Sequence, residues 1–314
     1  MAVGTRPLVP SRLAPGGVLG HERTKAPTTT IGAYIALTKP RIIELLLITT
    51  LPTMVVAAGR IPSVWLMTMT LVGGALAAGG ANAVNMYVDR DIDRLMPRTQ
   101  NRPLVTGAVV PRNALVFAVV LEVAAFALLW STVNLLSAAL ALSAMLFYVF
   151  VYTIWLKRTS TRNIVIGGAA GAVPVLVGWA AVRDSLGLAP WVLFATMFFW
   201  TPPHFWALAI RYADDYRAAN VPMLPAVADL RTVSRRMLFH TTLMVACSLW
   251  LWRAADLGWL YGVVAVVLGA VFLYGVIDLG RHPSAKRSMR IFAFSITYVT
   301  VLFVTMAVDV LVRR

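Results

Sequence analysis

The stretch NMYVDRDIDRLMPRTQNRPL, Asn85–Leu104, follows directly on an apolar run that begins near residue 62. It packs three aspartates and four arginines into the end of a segment that is otherwise mostly hydrocarbon. Asn85, Asp89 and Asp93 stand at i, i+4 and i+8. On an α-helix that spacing makes one stripe, drifting about 40° per step, with side chains about 6 Å apart along the axis. Asp91 points elsewhere. Like charges at i, i+4 repel, so a cation is the natural partner of the stacked carboxylates. Oxygen ligands on such a stripe suit Mg2+, which is usually held by one or two carboxylates plus phosphate oxygens of a substrate. Arg98 and Arg102 come after Pro97, a residue that ends or kinks a helix. A guanidinium fork takes phosphate oxygens in pairs. Metal ligands followed by arginines therefore point to a diphosphate rather than a lone ion. The competing reading is a solvated loop of Asp–Arg pairs that anchors a helix end.

The surrounding composition sets the class. Of 314 residues, 59% are hydrophobic and 13% charged, with a mean hydropathy of +0.77. A soluble domain usually carries about 25% charged residues, so the chain reads as an all-α integral membrane protein. The net charge of +15 does not indicate nucleic acid, because the basic residues sit in short clusters between apolar runs. The single cysteine, Cys247, lies inside such a run, which excludes an internal disulfide and a thiolate metal cluster. Residues 1–30, rich in Pro, Gly and Thr and without an apolar core of signal-peptide length, read as a disordered cytoplasmic tail. Residues 31–314 form the transmembrane domain.

A spanning helix needs about 20 mostly apolar residues. Nine segments qualify, at roughly 42–59, 62–86, 113–133, 135–156, 163–182, 188–210, 237–253, 256–279 and 291–310. With the N-terminus inside and the segments alternating, 23 of the 28 Lys and Arg fall on the inner side and 5 outside. Such asymmetry fits nine spans with the C-terminus outside, in a cell (inner) membrane. The two longest inner loops follow the second and sixth segments. Both carry acids first and a Pro-Leu stretch later, "DRDIDRLMPRTQNRPLV" and "RYADDYRAANVPMLPAV". The pattern suggests two four-helix halves and a ninth helix around a central cavity.

The first loop resembles the first aspartate motif of the intramembrane aromatic prenyltransferase superfamily. "LTKPRIIELLLITT" (37–50), "YTIWLKRTSTRNIVIGGAAGAVPVLVGW" (152–179), "FWTPPHFWALAIRYADDYRAANVPMLP" (199–225) and "IFAFSITYVTVLFV" (291–304) resemble one branch closely, that of protohaem IX farnesyltransferase, or haem O synthase. The resemblance covers nearly everything after residue 31. It implies Mg2+ as cofactor, farnesyl diphosphate and haem B as substrates, the lipid bilayer as surroundings, and a haem A synthase or oxidase assembly protein as partner. The implied reaction is farnesyl transfer to a haem vinyl group with addition of water, giving haem O. Asp89, Asp93 and Asn85 would be catalytic and metal-binding, and Arg98 and Arg102 would hold the diphosphate.

The superfamily places a second acidic motif opposite the first. Here Asp214 and Asp215, with Tyr216 beside them, are the candidates, and Asp215 is a further candidate metal ligand. They form no D-x-x-x-D, since alanines stand four residues on. The bland alternative is a pair of solvated acids. Lys157 and Arg158, at the end of the fourth segment, either close on the diphosphate or snorkel to the surface. Tyr152 either points into the cavity or is an interface tyrosine of the common kind. On the acceptor side, His204 in "TPPHFW" is the histidine nearest the apolar interior and is a candidate haem ligand. Its rival role is structural, bonded to a carbonyl freed by a helix break at Pro202 and Pro203. Glu44 either faces the cavity or pairs with Arg41, and Glu122 has no assigned role. Two other functions compete: a prenyltransferase acting on a quinone precursor, and a secondary transporter, whose acids should lie at mid-helix rather than near one surface.

Overall fold

The computed structural model describes residue 27 and residues 29–313, with the backbone alone over 41–43 and 45–47. The expected tail lies almost wholly outside the described residues. Among the described residues the chain is helical, without strands. Nine long helices among the described residues occupy the nine apolar segments: α1 Pro40–Ala58, α2 Val64–Asp93, α3 Pro111–Thr132, α4 Leu135–Thr159, α5 Asn163–Arg183, α6 Leu188–Arg211, α7 Leu230–Ala254, α8 Trp259–Arg281 and α9 Ala285–Val312. Six of them, α2, α3, α4, α5, α8 and α9, are long and apolar enough to cross a membrane. The prolines, tryptophans and His204 dilute α6, and His240, Ser248 and Arg253 dilute α7. Within α1 the apolar helical stretch is Ile48–Ala58.

Several helices outrun their apolar segments. α2 continues past residue 86 to Asp93, and α7 starts at Leu230 rather than near 237. Intrahelical hydrogen bonds carry the backbone through polar turns once the apolar part has nucleated it. α6 also differs from expectation. It runs unbroken through Pro202 and Pro203, where a break was expected. Two amide donors are lost there, but the helix is held from outside. Trp200 donates its indole N–H to the Ser295 carbonyl of α9 at 2.9 Å. Neighbouring helices commonly hold such prolines in place within a membrane protein.

Lipid is as apolar as a leucine side chain, so helix association rests on close packing rather than on water exclusion. The contact faces are accordingly made of small residues. A Cβ at Gly80 of α2 would stand 3.0 Å from the Ala118 carbonyl of α3, and one at Gly178 of α5 would stand 2.9 Å from the Thr50 carbonyl of α1. α2 packs on α3, α1 on α5 and α9, and α6 on α5, α7 and α9. The largest buried cluster joins mainly α5 to α9, while two smaller ones lie mainly among the first four helices. Between α1, α2, α4, α5 and α6 a cavity of about 380 Å³ remains. A more open recess of about 640 Å³ lies at the other end of α1, between Arg183 and Arg313, remote from the aspartate stripe.

Candidate active site

The end of α2 forms the predicted stripe. Asn85, Asp89 and Asp93 are buried, whereas the Asp91 side chain is 61% exposed. Asn85 sits at the centre of the site. Its Nδ2 donates to Asp89 Oδ2 at 2.8 Å and to Thr153 Oγ1 at 3.2 Å. Its Oδ1 accepts from Lys39 Nζ at 2.7 Å. Lys157 Nζ donates to Asp89 Oδ2, and Arg102 Nη1 donates to Asp93 Oδ2 at 2.6 Å. The Thr99 hydroxyl bonds the Asp93 carbonyl at 2.8 Å and fixes the turn that returns Arg102 to the stripe.

Lys39 carries no motif of its own, and the expected site omits it. It joins the short helix Thr30–Thr38 to α1 with φ of 53°, in the left-handed region. Such a conformation is unfavourable for a residue with a Cβ, and here it turns the ammonium toward Asn85. Burial, with Arg102 and Lys157 close by, pushes that ammonium well below its usual range. The one signal in the sequence is the Lys-Pro pair, since proline disfavours the α region in the residue before it.

α4 changes pitch as it reaches the site. Its Leu135–Leu146 portion is α-helical, and Phe147–Leu156 is a π-helix. That wider pitch, often found at functional sites, sets Tyr148, Tyr152 and Lys157 on the cavity wall at spacings of four and five. The Tyr148 and Tyr152 rings stack at 5.3 Å. The Tyr152 ring lies directly against Gly167, where any side chain would overlap it.

The second acidic loop meets the first through Arg98. The Arg98 guanidinium donates to the Tyr216 hydroxyl at 3.1 Å and lies over the Tyr216 and Tyr212 rings at 5.3 and 5.7 Å. Asp214 is exposed and paired with Arg217. Asp215 is half-buried, and its Oδ2 has no hydrogen-bond partner. Arg158 lies off the cavity wall. It forks onto Asp91 with two 2.7 Å bonds and approaches Asp89 Oδ1 only to 3.9 Å.

His204 also lies off the cavity wall. Its ring stacks between Trp200 at 4.2 Å and Phe292 at 4.7 Å, and its Nδ1 meets Ser295 Oγ at 2.6 Å. The Ser295 hydroxyl spends its proton on the Phe292 carbonyl at 2.6 Å. Nδ1 is therefore the protonated nitrogen, which leaves the Nε2 lone pair free. Glu44 is exposed and is not part of the cavity wall. Glu122 is buried between α3 and α2, where its Oε2 has no partner.

The charge balance of the site is uneven. Lys39, Arg98, Arg102 and Lys157 line one end of an otherwise apolar cavity, against the two buried carboxylates of Asp89 and Asp93. That excess favours an anion. Asp89 Oδ1 and Asp215 Oδ2 are buried acceptors without hydrogen-bond partners, and a bare buried carboxylate oxygen is costly. An all-oxygen donor set of this kind fits Mg2+. Among the described residues, no three His, Cys, Asp or Glu side chains group closely enough to hold a metal. Substrate oxygens would complete its shell.

Known proteins give the same picture. The profile of the UbiA prenyltransferase family matches residues 46–299. A protein of Kineococcus radiotolerans named protoheme IX farnesyltransferase is 55% identical over 90% of this chain and 88% of its own length. A protein of the same name from Streptomyces coelicolor is 48% identical over 95% and 98%. The solved structure of a digeranylgeranylglyceryl phosphate synthase superposes with a TM-score of 0.74 at 16% identity, covering 90% of this chain and 98% of that one. The structure of a UbiA homologue from Archaeoglobus fulgidus bound to DMAPP and Mg2+ gives 0.61 at 16%, covering 87% and 99%. These two likenesses concern the fold. With the profile matched over most of its length and relatives half identical throughout, the chain is a multi-pass membrane protein that belongs to the UbiA prenyltransferase family.

Proposed function

We propose that the protein transfers the farnesyl group of farnesyl diphosphate to a vinyl group of haem B, with addition of water, giving haem O and diphosphate. The observation that carries this reading is the union of an apolar cavity with a cationic head, whose Lys157 and Arg102 are held by the buried carboxylates of Asp89 and Asp93, in a chain about half identical to proteins named protoheme IX farnesyltransferase. Lys39, Arg98, Arg102 and Lys157 hold the diphosphate oxygens, Arg98 brings the Tyr216 hydroxyl of the second acidic loop to the same end, and Asp215 is a further residue that would hold a metal ion there. Asn85, Asp89 and Asp93 are the residues that would hold Mg2+, which when bound neutralises charge on the leaving diphosphate.

Positive charge fixed around the diphosphate favours heterolysis of the allylic C–O bond. The stacked faces of Tyr148 and Tyr152 are placed to stabilise the resulting allylic cation, and the apolar wall keeps water from it. The terminal vinyl carbon attacks the cation. Water then captures the carbon next to the porphyrin ring, and its proton leaves with the diphosphate. His204 would touch haem through Nε2 from outside the cavity wall, beside Trp200. Nine spans, with the N-terminus inside and the C-terminus outside, put the aspartate loops on the inner face of the membrane.

The test is direct: purified protein receives haem B, farnesyl diphosphate and Mg2+, and the products are read by mass spectrometry. Haem O is expected. Its absence, with farnesyl transferred instead to a phenolic quinone precursor, would replace this reading.

A further inference from the structure

The cavity extends along the helices that line it. On α2 its wall runs from Asn85 to Thr70, about 22 Å at 1.5 Å per residue. On α5 it runs from Ile164 to Val177, about 20 Å. All the basic side chains of the wall lie at the Asn85 end. An isoprene unit advances through four carbon–carbon bonds of about 1.5 Å, or about 5 Å when extended. Past the head, the cavity has length for about three such units.

Gly171 stands seven residues along α5 from Ile164, about 10 Å down the cavity. The other α5 glycines are there because something touches them. A Cβ at Gly167 would overlap the Tyr152 ring, one at Gly168 would meet Thr201 at 2.9 Å, and one at Gly178 would meet the Thr50 carbonyl. A Cβ at Gly171 would meet nothing within 4 Å. Gly171 lies on the cavity wall and has no positive φ. No backbone requirement and no helix contact calls for glycine at this point. In a helix interior glycine is even unfavourable relative to alanine.

We propose that Gly171 is a specificity-determining residue for donor length: its missing side chain leaves room in the cavity for the third isoprene unit. This inference rests on the prenyl diphosphate reading of the head. A leucine or phenylalanine there fills the cavity at mid-depth, beyond the reach of a dimethylallyl or short geranyl tail and within the path of a farnesyl tail.

The experiment uses the full chain, purified in detergent, as wild type, Gly171→Ala, Gly171→Leu and Gly171→Phe. Equilibrium affinities for dimethylallyl, geranyl and farnesyl diphosphates are measured in competition, with transfer to haem read in parallel. The ratio of farnesyl to geranyl affinity should fall at least tenfold in Gly171→Phe and by less in Gly171→Leu. In Gly171→Ala it should hardly change, and that variant should melt no lower than wild type. If Gly171→Phe does not fold, Gly171→Leu is judged by the same direction of change. An unchanged ratio in the folded large variants overturns the proposal. A uniform loss across all three donors also overturns it, because that pattern means Gly171 faces the acceptor or the head. A wild type that binds none of the three diphosphates overturns the prenyl diphosphate reading itself, a result distinct from either of these.

Discussion

Lys39 donates to Asn85 across 46 residues of sequence, at 2.7 Å, and Asn85 in turn donates to Asp89. One amide thus links a cation from the start of α1 to the acid at the end of α2. Without Asn85, the Lys39 ammonium would lose its acceptor and Asp89 would lose a donor. The link explains why an asparagine heads a stripe whose other members are acids.

Replacing Asp89 by asparagine keeps the shape of the side chain and removes its charge. Turnover should fall by about 10²-fold or more, the effect of losing one transition-state charge contact of roughly 2.7–4 kcal/mol. Helix content should remain, although buried Lys157 loses its ionic partner. Steady-state transfer at saturating Mg2+ is the measurement, and retention of more than about a tenth of wild-type rate would remove Asp89 from the chemistry.

Lys39→Gly separates backbone strain from charge. Glycine accepts the left-handed φ without penalty, relieving about 1 kcal/mol or more. The same change removes a charged hydrogen-bond donor worth about 1.5–3 kcal/mol. The loss outweighs the relief, so the melting temperature should hold or fall slightly while diphosphate affinity drops about tenfold or more. Calorimetric titration with farnesyl diphosphate, beside a thermal scan, checks both. Unchanged affinity would take Lys39 out of the anion site.

Helix contact has its own test at Gly178. The atom facing a new Cβ there is a backbone carbonyl of α1 at 2.9 Å, which cannot swing aside as a side chain would. Gly178→Ala should destabilise by about 1–3 kcal/mol. Thermal denaturation in detergent, with Gly171→Ala as the unhindered comparison, measures it. Equal melting of the two variants would show that α1 and α5 adjust freely.

The stripe was legible because helical periodicity alone brings Asn85, Asp89 and Asp93 together. Long helices over the apolar segments were legible too, although among the described residues six of them are long and apolar enough to span a membrane. Tyr152 lies on the cavity wall and Lys157 reaches Asp89 of the stripe. Lys39 was not legible: its role depends on a left-handed residue and on a partner 46 positions away. The π-helix of α4 was hidden too, as i→i+5 pitch leaves no pattern distinct from a continuous apolar run. Pro202 and Pro203 misled locally, because the restraint that keeps α6 continuous comes from α9. Arg158 stands beside Lys157 in sequence, yet it is drawn to Asp91 on the exposed face.

Topology can be read with reporter fusions after Arg60, Arg183 and Arg253, and in the loops that follow Asp93 and Asp214. The first three should report the outer side and the two acidic loops the inner side, following the imbalance of basic residues. A C-terminal reporter active inside the cell would rule out nine spans.

His204 is decided by comparing two variants. In His204→Ala the stacking between Trp200 and Phe292 and the Ser295 bond are lost together with Nε2. In Ser295→Ala the imidazole stays, but its Nδ1 partner is gone. If Nε2 contacts haem, His204→Ala should weaken haem affinity about tenfold, the size of one net hydrogen bond or ligand contact near 1.4 kcal/mol. Farnesyl diphosphate affinity, set by the aspartate end of α2, should change little. Ser295→Ala should retain most haem affinity and shift the haem spectrum only slightly. If the role of His204 is instead to fasten α6 to α9, both variants should melt earlier by similar amounts and both substrates should bind less well. Spectroscopic haem titration, diphosphate titration and a thermal scan on the two proteins separate these patterns. Matched losses in the two variants would assign His204 to helix packing, and the transferase reading would then stand on the Asn85–Asp89–Asp93 stripe alone.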